Sequence, residues 1–326
     1  MHRFATAVLL ALASAACGGM QSSLAPAGRE AAHIALLYWW MTAAALVIWV
    51  LVIALAVYYG RSHEAAPSHR RDRWLIGVAG VAAPTVLLAA LLAYGLSMVP
   101  PLVARAPAGS LLIDVSGEQW WWRIQYAQPN GALIDVANEL ALPVDEPVQF
   151  RLSSDNVIHS FWIPPLGGKM DMIPGRTTWL ALRPTRTGLF SGACAEYCGT
   201  AHGFMRFVAH VMERDAFARW LTHQATDAAP PNGPLASRGY EVMLSTGCGA
   251  CHTVRGTPAR GRIGPDLTHV GSRTSLGAGT MPANAATLAA WLSSPNRIKP
   301  GAHMPAFGML GDDDVRALAA YLSELR

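Results

Sequence analysis

Two stretches of the chain carry no charged residue, His33 to Tyr59 and Trp74 to Val103. Each is longer than the roughly 20 residues needed to cross a hydrocarbon core, and neither has a polar face. They predict two membrane-spanning helices within residues 30–104. Trp39, Trp40, Tyr58, Tyr59 and Trp74 lie near the ends of these runs, where aromatic rings favour the membrane interface. Pro84 inside the second run predicts a kink that packing can tolerate. After about residue 104 the period shortens. The runs LLIDV, WWWRIQY, PVQFRL, VIHSFWIP, TTWLALR and RFVAHVM, separated by Gly, Pro, Asn and Asp, read as short strands of a β-sandwich or small barrel over residues 107–222. A helix from Glu213 to about Gln224 closes that unit. Residues 223–236, ending in ATDAAPPNGPLA, read as a semi-flexible linker. From Ser237 to Arg326 the pattern is helical, and Asp312, Asp313 and Asp314 mark the start of the last helix.

The first 16 residues, MHRFATAVLLALASAA, have a basic start and an apolar run too short to span a bilayer, which predicts an export signal. The following Ala15-Ala16-Cys17-Gly18 resembles a bacterial lipoprotein processing site, with Cys17 the candidate lipid acceptor; an ordinary signal with an incidental Cys17 is the alternative. Orientation comes from the loop at 60–73, which holds Arg61, Arg70, Arg71 and Arg73, against Arg29 alone in the mature leader. The positive-inside bias puts that loop in the cytoplasm and everything after about residue 104 on the external side of a bacterial cell membrane.

Composition agrees with this division. Of 326 residues, 52% are hydrophobic and only 14% are charged, against about 25% charged in soluble proteins. The net charge of +4 is small and forms no basic stripe, which argues against a nucleic-acid partner. Residues 107–222 carry net −2 and residues 237–326 net +3. Opposite signs on tethered modules favour docking of one on the other; small scattered charges are the equal alternative.

The chemistry lies in two cysteine clusters. Cys248-Gly-Ala-Cys251-His252 has the spacing of a covalent c-type haem site, in which two thiols join the vinyl groups and the His supplies an axial nitrogen. A zinc or dithiol site is the alternative. Low-spin haem favours a second axial sulfur, and Lys299-Pro-Gly-Ala-His303-Met304-Pro305 offers Met304, with His303 and Met309 as weaker candidates. The second cluster is Cys194-Ala-Glu196-Tyr-Cys198-Gly-Thr-Ala-His202-Gly-Phe-Met205, with His159 available from Val157-Ile158-His159-Ser160-Phe161. Soft sulfur with imidazole on a β-scaffold selects copper. Two thiolates in one loop can bridge two ions, capped by His159 and His202, with Met205 and the Glu196 carbonyl as weak ligands. A Cys194–Cys198 disulfide is the alternative, and it leaves His159, His202 and Met205 unexplained.

Gly264-Pro265-Asp266-Leu267 between the haem motif and Met304-Pro305 resembles the class I cytochrome c family. The copper run, with Val157-Ile158-His159-Ser160-Phe161 and Asp171-Met-Ile-Pro174-Gly175-Arg176, resembles subunit II of haem–copper cytochrome c oxidases. This resemblance implies a multidomain membrane protein: a two-helix transmembrane hairpin, a cupredoxin-like β-sandwich and an all-α cytochrome c domain. It further implies a binuclear CuA centre taking electrons from an external donor, a soluble cytochrome c or a bc1-type complex. Those electrons pass to haem and copper in subunit I, where O2 is reduced, and other oxidase subunits complete the complex. By the same resemblance the Glu196 side chain serves a magnesium or manganese ion with Asp171 nearby, and Trp120 in Gly117-Glu-Gln119-Trp120-Trp121-Trp122 is where electrons enter. Many members carry a Glu seven residues before the Pro of the second span; here that position is Gly77, so the proton entry it serves does not carry over. A CuA-bearing nitric oxide reductase subunit shares these ligands. A membrane-tethered copper chaperone is a rival of another class, which the haem motif and the His202-x-x-Met205 continuation oppose.

Overall fold

The computed structural model describes residues 18–61, 69–128 and 131–326. The expected export signal, Cys17 and most of the inter-span loop lie outside the described residues. The chain divides into two units, one of residues 32–104 and one of residues 1–31 with 105–326.

The first unit is helical. Helix α1, Arg29–Arg61, and helix α2, His69–Val103, are both long and apolar enough to cross a membrane. Within α2 the stretch Leu75–Ala82 is π-helical and ends just before Ala83-Pro84. Proline has no N–H to give and its ring crowds the preceding turn. A π-helical turn next to a proline is one of the sites where long helices bend.

In the second unit, residues 111–212 form two facing five-stranded sheets. The strands are β1 Leu111–Glu118, β2 Trp121–Ala127, β3 Leu133–Ala137, β4 Glu139–Pro143, β5 Val148–Ser154, β6 His159–Trp162, β7 Met170–Met172, β8 Thr178–Leu182, β9 Gly188–Cys194 and β10 Arg206–Met212. Their orders are β3-β2-β1-β5-β8 and β4-β10-β9-β6-β7. Alternation in β1 and β2 sends Ile113, Val115, Trp122, Ile124 and Tyr126 inward. They meet Phe150, Phe161 and Phe207, with Trp122 packed edge-on to Phe207 at 5.1 Å and Phe161 stacked on Phe207 at 4.8 Å. Buried aromatic pairs of this kind add to the stabilisation from area alone. Trp122 is thus a core residue. Residues 20–28, before α1, lie on this sandwich: Ala27 N–H donates to Pro165 O at 2.7 Å and Ser191 N–H to Met20 O at 2.8 Å.

The sandwich is followed by helix α3, Arg214–Gln224, and then by a helical module of α4 Gly233–Ser245, α5 Ala285–Ser293, α6 Pro295–Ile298 and α7 Asp312–Glu324, with a short β11–β12 pair at Ser275–Leu276 and Met281–Pro282. α4 packs on α7 around Met243, Leu318, Tyr321 and Leu322. Asn284 caps α5 by accepting from Thr287 N–H, and Asp312–Asp314 occupy the first turn of α7. Gly233 to Ala236, expected in the linker, are helical, because Pro234 falls in the first turn, where its missing N–H costs nothing. The rest of the linker is held. Arg255 Nη2 donates to Gln224 O and Thr226 O, and Ala228 N–H donates to Arg255 O at 3.0 Å.

One hydroxyl ties the two sheets together. Tyr126 Oη on β2 donates to Ala141 O at 2.8 Å and accepts from Ala141 N–H at 2.9 Å, so it satisfies the outer side of edge strand β4. Its burial pushes the phenol pKa above its ordinary value, which keeps the donor in place at all working pH. Tyr126→Phe leaves both backbone groups of Ala141 buried without partners. It should lower unfolding stability by about 1–3 kcal/mol in a denaturant titration.

Candidate metal centres

The first candidate centre sits at one end of the sandwich. β6 supplies His159, and the loop from the end of β9 to the start of β10 supplies Cys194, Cys198, His202 and Met205. The loop's two ends are tied by Cys194 N–H donating to Met205 O at 3.0 Å, and Ala195 N–H donates to Ser160 O on β6 at 3.0 Å. Within this frame the two Sγ atoms stand 3.8 Å apart. Cys194 Sγ is 3.7 Å from His159 Nδ1 and 3.1 Å from Glu196 O. Cys198 Sγ is 3.5 Å from His202 Nδ1 and 3.8 Å from Met205 Sδ. Each sulfur therefore faces one imidazole and one weaker donor. His159 and Met205 are fully buried, and Cys194 and Cys198 nearly so.

The electrostatics suit a cation. Hydrogen bonding from Cys198 holds Cys194 well below the ordinary thiol range, and the neighbouring thiolate together with burial pushes Cys198 up. His159 Nε2 lies 3.3 Å from Asn156 Oδ1, an acceptor, which leaves Nδ1 free toward the sulfurs. Two thiols, two imidazoles, a thioether and a carbonyl in a buried cluster match the donor preference of copper. The Glu196 and Asp171 side chains lie outside this cluster and half exposed; both approach Lys169, at 4.0 and 3.8 Å, and Asp171 accepts from Ser160 Oγ at 2.7 Å.

The second candidate centre is in the helical module. Cys248–Ala250 form a single 3-10 turn entered through Gly247, and His252 N–H donates to Cys248 O at 3.0 Å. Both thiols and the imidazole thus come from one compact turn. His252 Nδ1 lies 2.7 Å from Pro265 O. A carbonyl only accepts, so Nδ1 carries the proton and Nε2 keeps its lone pair. Burial lowers the pKa of the ring and keeps it neutral. An oriented neutral imidazole beside two free thiols fits haem attachment. Of the axial candidates, Met304 packs against the module's core, His303 packs against Trp120 at 5.4 Å, and Met309 is exposed.

Trp120 lies between the copper loop and the 299–303 segment of the helical module. Its Nε1 donates to Cys198 O at 2.9 Å, and Gln119 Nε2 donates to the same oxygen at 3.0 Å. Its own carbonyl accepts from Lys299 Nζ at 2.6 Å, and Lys299 also donates to Gly277 O at 2.9 Å. Burial draws the Lys299 pKa down to about 7, and with or without the extra proton it has N–H donors for both carbonyls. Around this point Glu139 accepts from Thr274 N–H and Oγ1, Arg123 donates to Arg262 O, and Arg262 pairs with Asp135 at 3.6 Å. The modules are therefore docked, mostly through hydrogen bonds. Sequence reasoning missed Lys299 and Asn156, since a lone Lys or Asn has no spacing to mark it, and it marked Pro265 only as part of the Gly264–Leu267 motif, not as the acceptor for His252.

Gly117 on β1 passes under His159: a Cβ there would stand 2.7 Å from His159 Cδ2. Gly117→Ala should push the imidazole off the sulfurs and weaken copper binding about 10–100-fold in a chelator-competition titration, with the fold intact by circular dichroism.

The comparisons with known proteins agree on both modules. The family described as cytochrome C oxidase subunit II, periplasmic domain, matches residues 127–212, and the cytochrome c family matches residues 236–326. The chain is 36% identical over 217 residues to cytochrome c oxidase subunit 2 of Alkalihalophilus pseudofirmus, covering 67% of this chain and 62% of that relative. It is 31% identical over 221 residues to the alternative cytochrome c oxidase subunit 2 of Bradyrhizobium diazoefficiens, covering 58% of this chain and 78% of the relative. The crystal structure of the periplasmic domain of subunit II of cytochrome oxidase of Bradyrhizobium japonicum is 31% identical, covers 38% of this chain and 96% of that one, and superposes with a TM-score of 0.34. The matched families imply copper in the sandwich and haem in the helical module, in a membrane protein with a periplasmic domain. On the shared length and identity with these relatives, the chain belongs to the cytochrome c oxidase subunit II family and carries a cytochrome c domain.

Proposed function

We propose that the chain is the electron-entry subunit of a terminal respiratory oxidase, with both redox modules on the periplasmic side and the inter-span loop in the cytoplasm. The observation that carries this reading is Trp120, hydrogen-bonded through its indole to the copper loop and in contact with the segment that holds Met304. When bound, a binuclear copper pair and a covalently attached haem supply reversible one-electron chemistry, relaying electrons from an external donor toward the haem and copper of subunit I, where O2 becomes water. The oxygen chemistry belongs to that separate subunit.

The residues of this chain do the holding and insulating. Cys194, Cys198, His159, His202, Met205 and the Glu196 carbonyl would hold the copper, and Cys248, Cys251, His252 and Met304 would hold the haem. His159, Cys198, Met205 and Trp120 are shielded from water, so little solvent reorganises when the local charge changes. A closed site of six donors suits retention of copper, as electron transfer requires, rather than its delivery to another protein. Glu196 and Asp171 stand ready at the surface for a hard cation, a role that follows from the family resemblance.

Cys198→Ser removes one sulfur whose close partners, Cys194, His202 and Met205, all lie in the sandwich. The purified variant should lose the mixed-valence copper EPR signal and retain haem absorbance that survives acid–acetone extraction. Loss of both signals together would contradict the division of labour between the modules.

A further inference from the structure

Lys299 belongs to neither donor set, yet it is only 3% exposed. Its Nζ bridges two carbonyls from different modules: Trp120 O, between β1 and β2 of the sandwich, and Gly277 O, in the helical module. The same loop of the module is tied to the sandwich once more, where Arg206 N–H of β10 donates to Ala278 O at 3.1 Å. From Lys299 the chain runs directly across the Trp120 ring. Gly301 lies at φ +87°, and a Cβ on it would stand 2.9 Å from Trp120 Cζ3; two residues on, the His303 ring is 5.4 Å from the indole. Met304 follows. The result is a tryptophan only 8% exposed, with its indole N–H turned to Cys198 and its six-membered ring under the 299–303 segment.

We propose that Lys299 is a positioning residue that fastens the segment 299–304 over Trp120, so that this ring faces the chain's own haem module and is closed to any external protein. The consequence for electron entry rests on the function proposed above: a donor protein must dock on the helical module, because the Trp120 face of the sandwich is already taken. A lysine is suited to the task. Its apolar stem is buried, and its N–H groups reach Trp120 O as well as Gly277 O, which also accepts from Thr280 Oγ1 at 2.7 Å. The Asp135–Arg262 pair and the Glu139 contacts lie at the exposed edge of the same docking surface, where such interactions contribute little.

Hydroxyl-radical footprinting of the full-length chain in detergent, read by mass spectrometry at Trp120, separates these roles. In the native protein Trp120 should be labelled as slowly as the fully buried Trp122. Lys299→Met keeps the stem and removes the donors; labelling of Trp120 should rise about tenfold while Trp122 stays protected. Lys299→Arg, which keeps donors, should restore most of the protection, and Glu139→Gln at the edge should leave it unchanged. Free labelling of Trp120 in the native chain, no rise in Lys299→Met, or a Lys299→Arg variant as exposed as Lys299→Met would each overturn the assignment. Should Lys299→Met expose Trp122 as well, Gly301→Ala decides: selective labelling of Trp120 supports the docking of this segment, and continued protection overturns it. Copper and haem spectra of the same samples test the functional reading separately. Their absence from the native chain ends that reading alone, and a flat footprint with both present ends the Lys299 assignment alone.

Discussion

The carbonyl oxygen of Cys198 accepts hydrogen bonds from Gln119 Nε2 and Trp120 Nε1, and the candidate copper centre depends on that pair of bonds. The loop from Cys194 to Met205 concentrates two sulfurs that repel one another once both are ionised. Left alone, such a loop would open. Its ends are closed by Cys194 N–H on Met205 O, and its middle is pinned at Cys198 by the two side chains from the β1–β2 connection. Because the pinning groups directly precede β2, whose Trp122 is fully buried in the core, the loop's position is referred to the sandwich rather than to solvent. His159 is fixed by the same core, being on β6, whose Phe161 pairs with Cys194 and stacks on Phe207.

This arrangement also explains how a sandwich domain and a helical module become one unit. Trp120 is used on three sides: the indole N–H toward Cys198, the ring toward Gly301 and His303, and the carbonyl toward Lys299. The loop that holds the copper donors and the segment that holds Met304 are thus referred to one residue. Net charges of −2 and +3 on the two modules point the right way, but the docking rests on buried hydrogen bonds, with Asp135–Arg262 the ion pair that crosses it among the described residues.

Much of this was legible in the sequence because it has a period or a fixed spacing. Uncharged runs longer than a bilayer marked the two helices. Alternation marked β1, β2, β5 and β10, and the sulfur–imidazole spacings brought together the residues that the folded loop brings together. What escaped has neither. β3, β4 and β9 are short or glycine-bearing, so Gly188 and Gly192 in β9 read as breaks although the strand is central in its sheet. The linker's Pro and Gly read as a semi-flexible connection, while Pro234 falls in the first turn of a helix and Arg255, distant in sequence, holds the remainder. Lys299 gains its meaning only when residues 179 positions apart meet, which no local pattern encodes.

The central claim is that the copper loop and the segment leading to Met304 of the haem module are held on Trp120 in one chain. Electron spin relaxation of the copper centre, recorded on the full-length protein with the haem poised oxidised and then reduced, tests it most directly. Paramagnetic ferric haem held close by should speed copper relaxation severalfold, and the effect should vanish when the haem becomes diamagnetic. Copper relaxation that is indifferent to the haem's oxidation state would contradict the account.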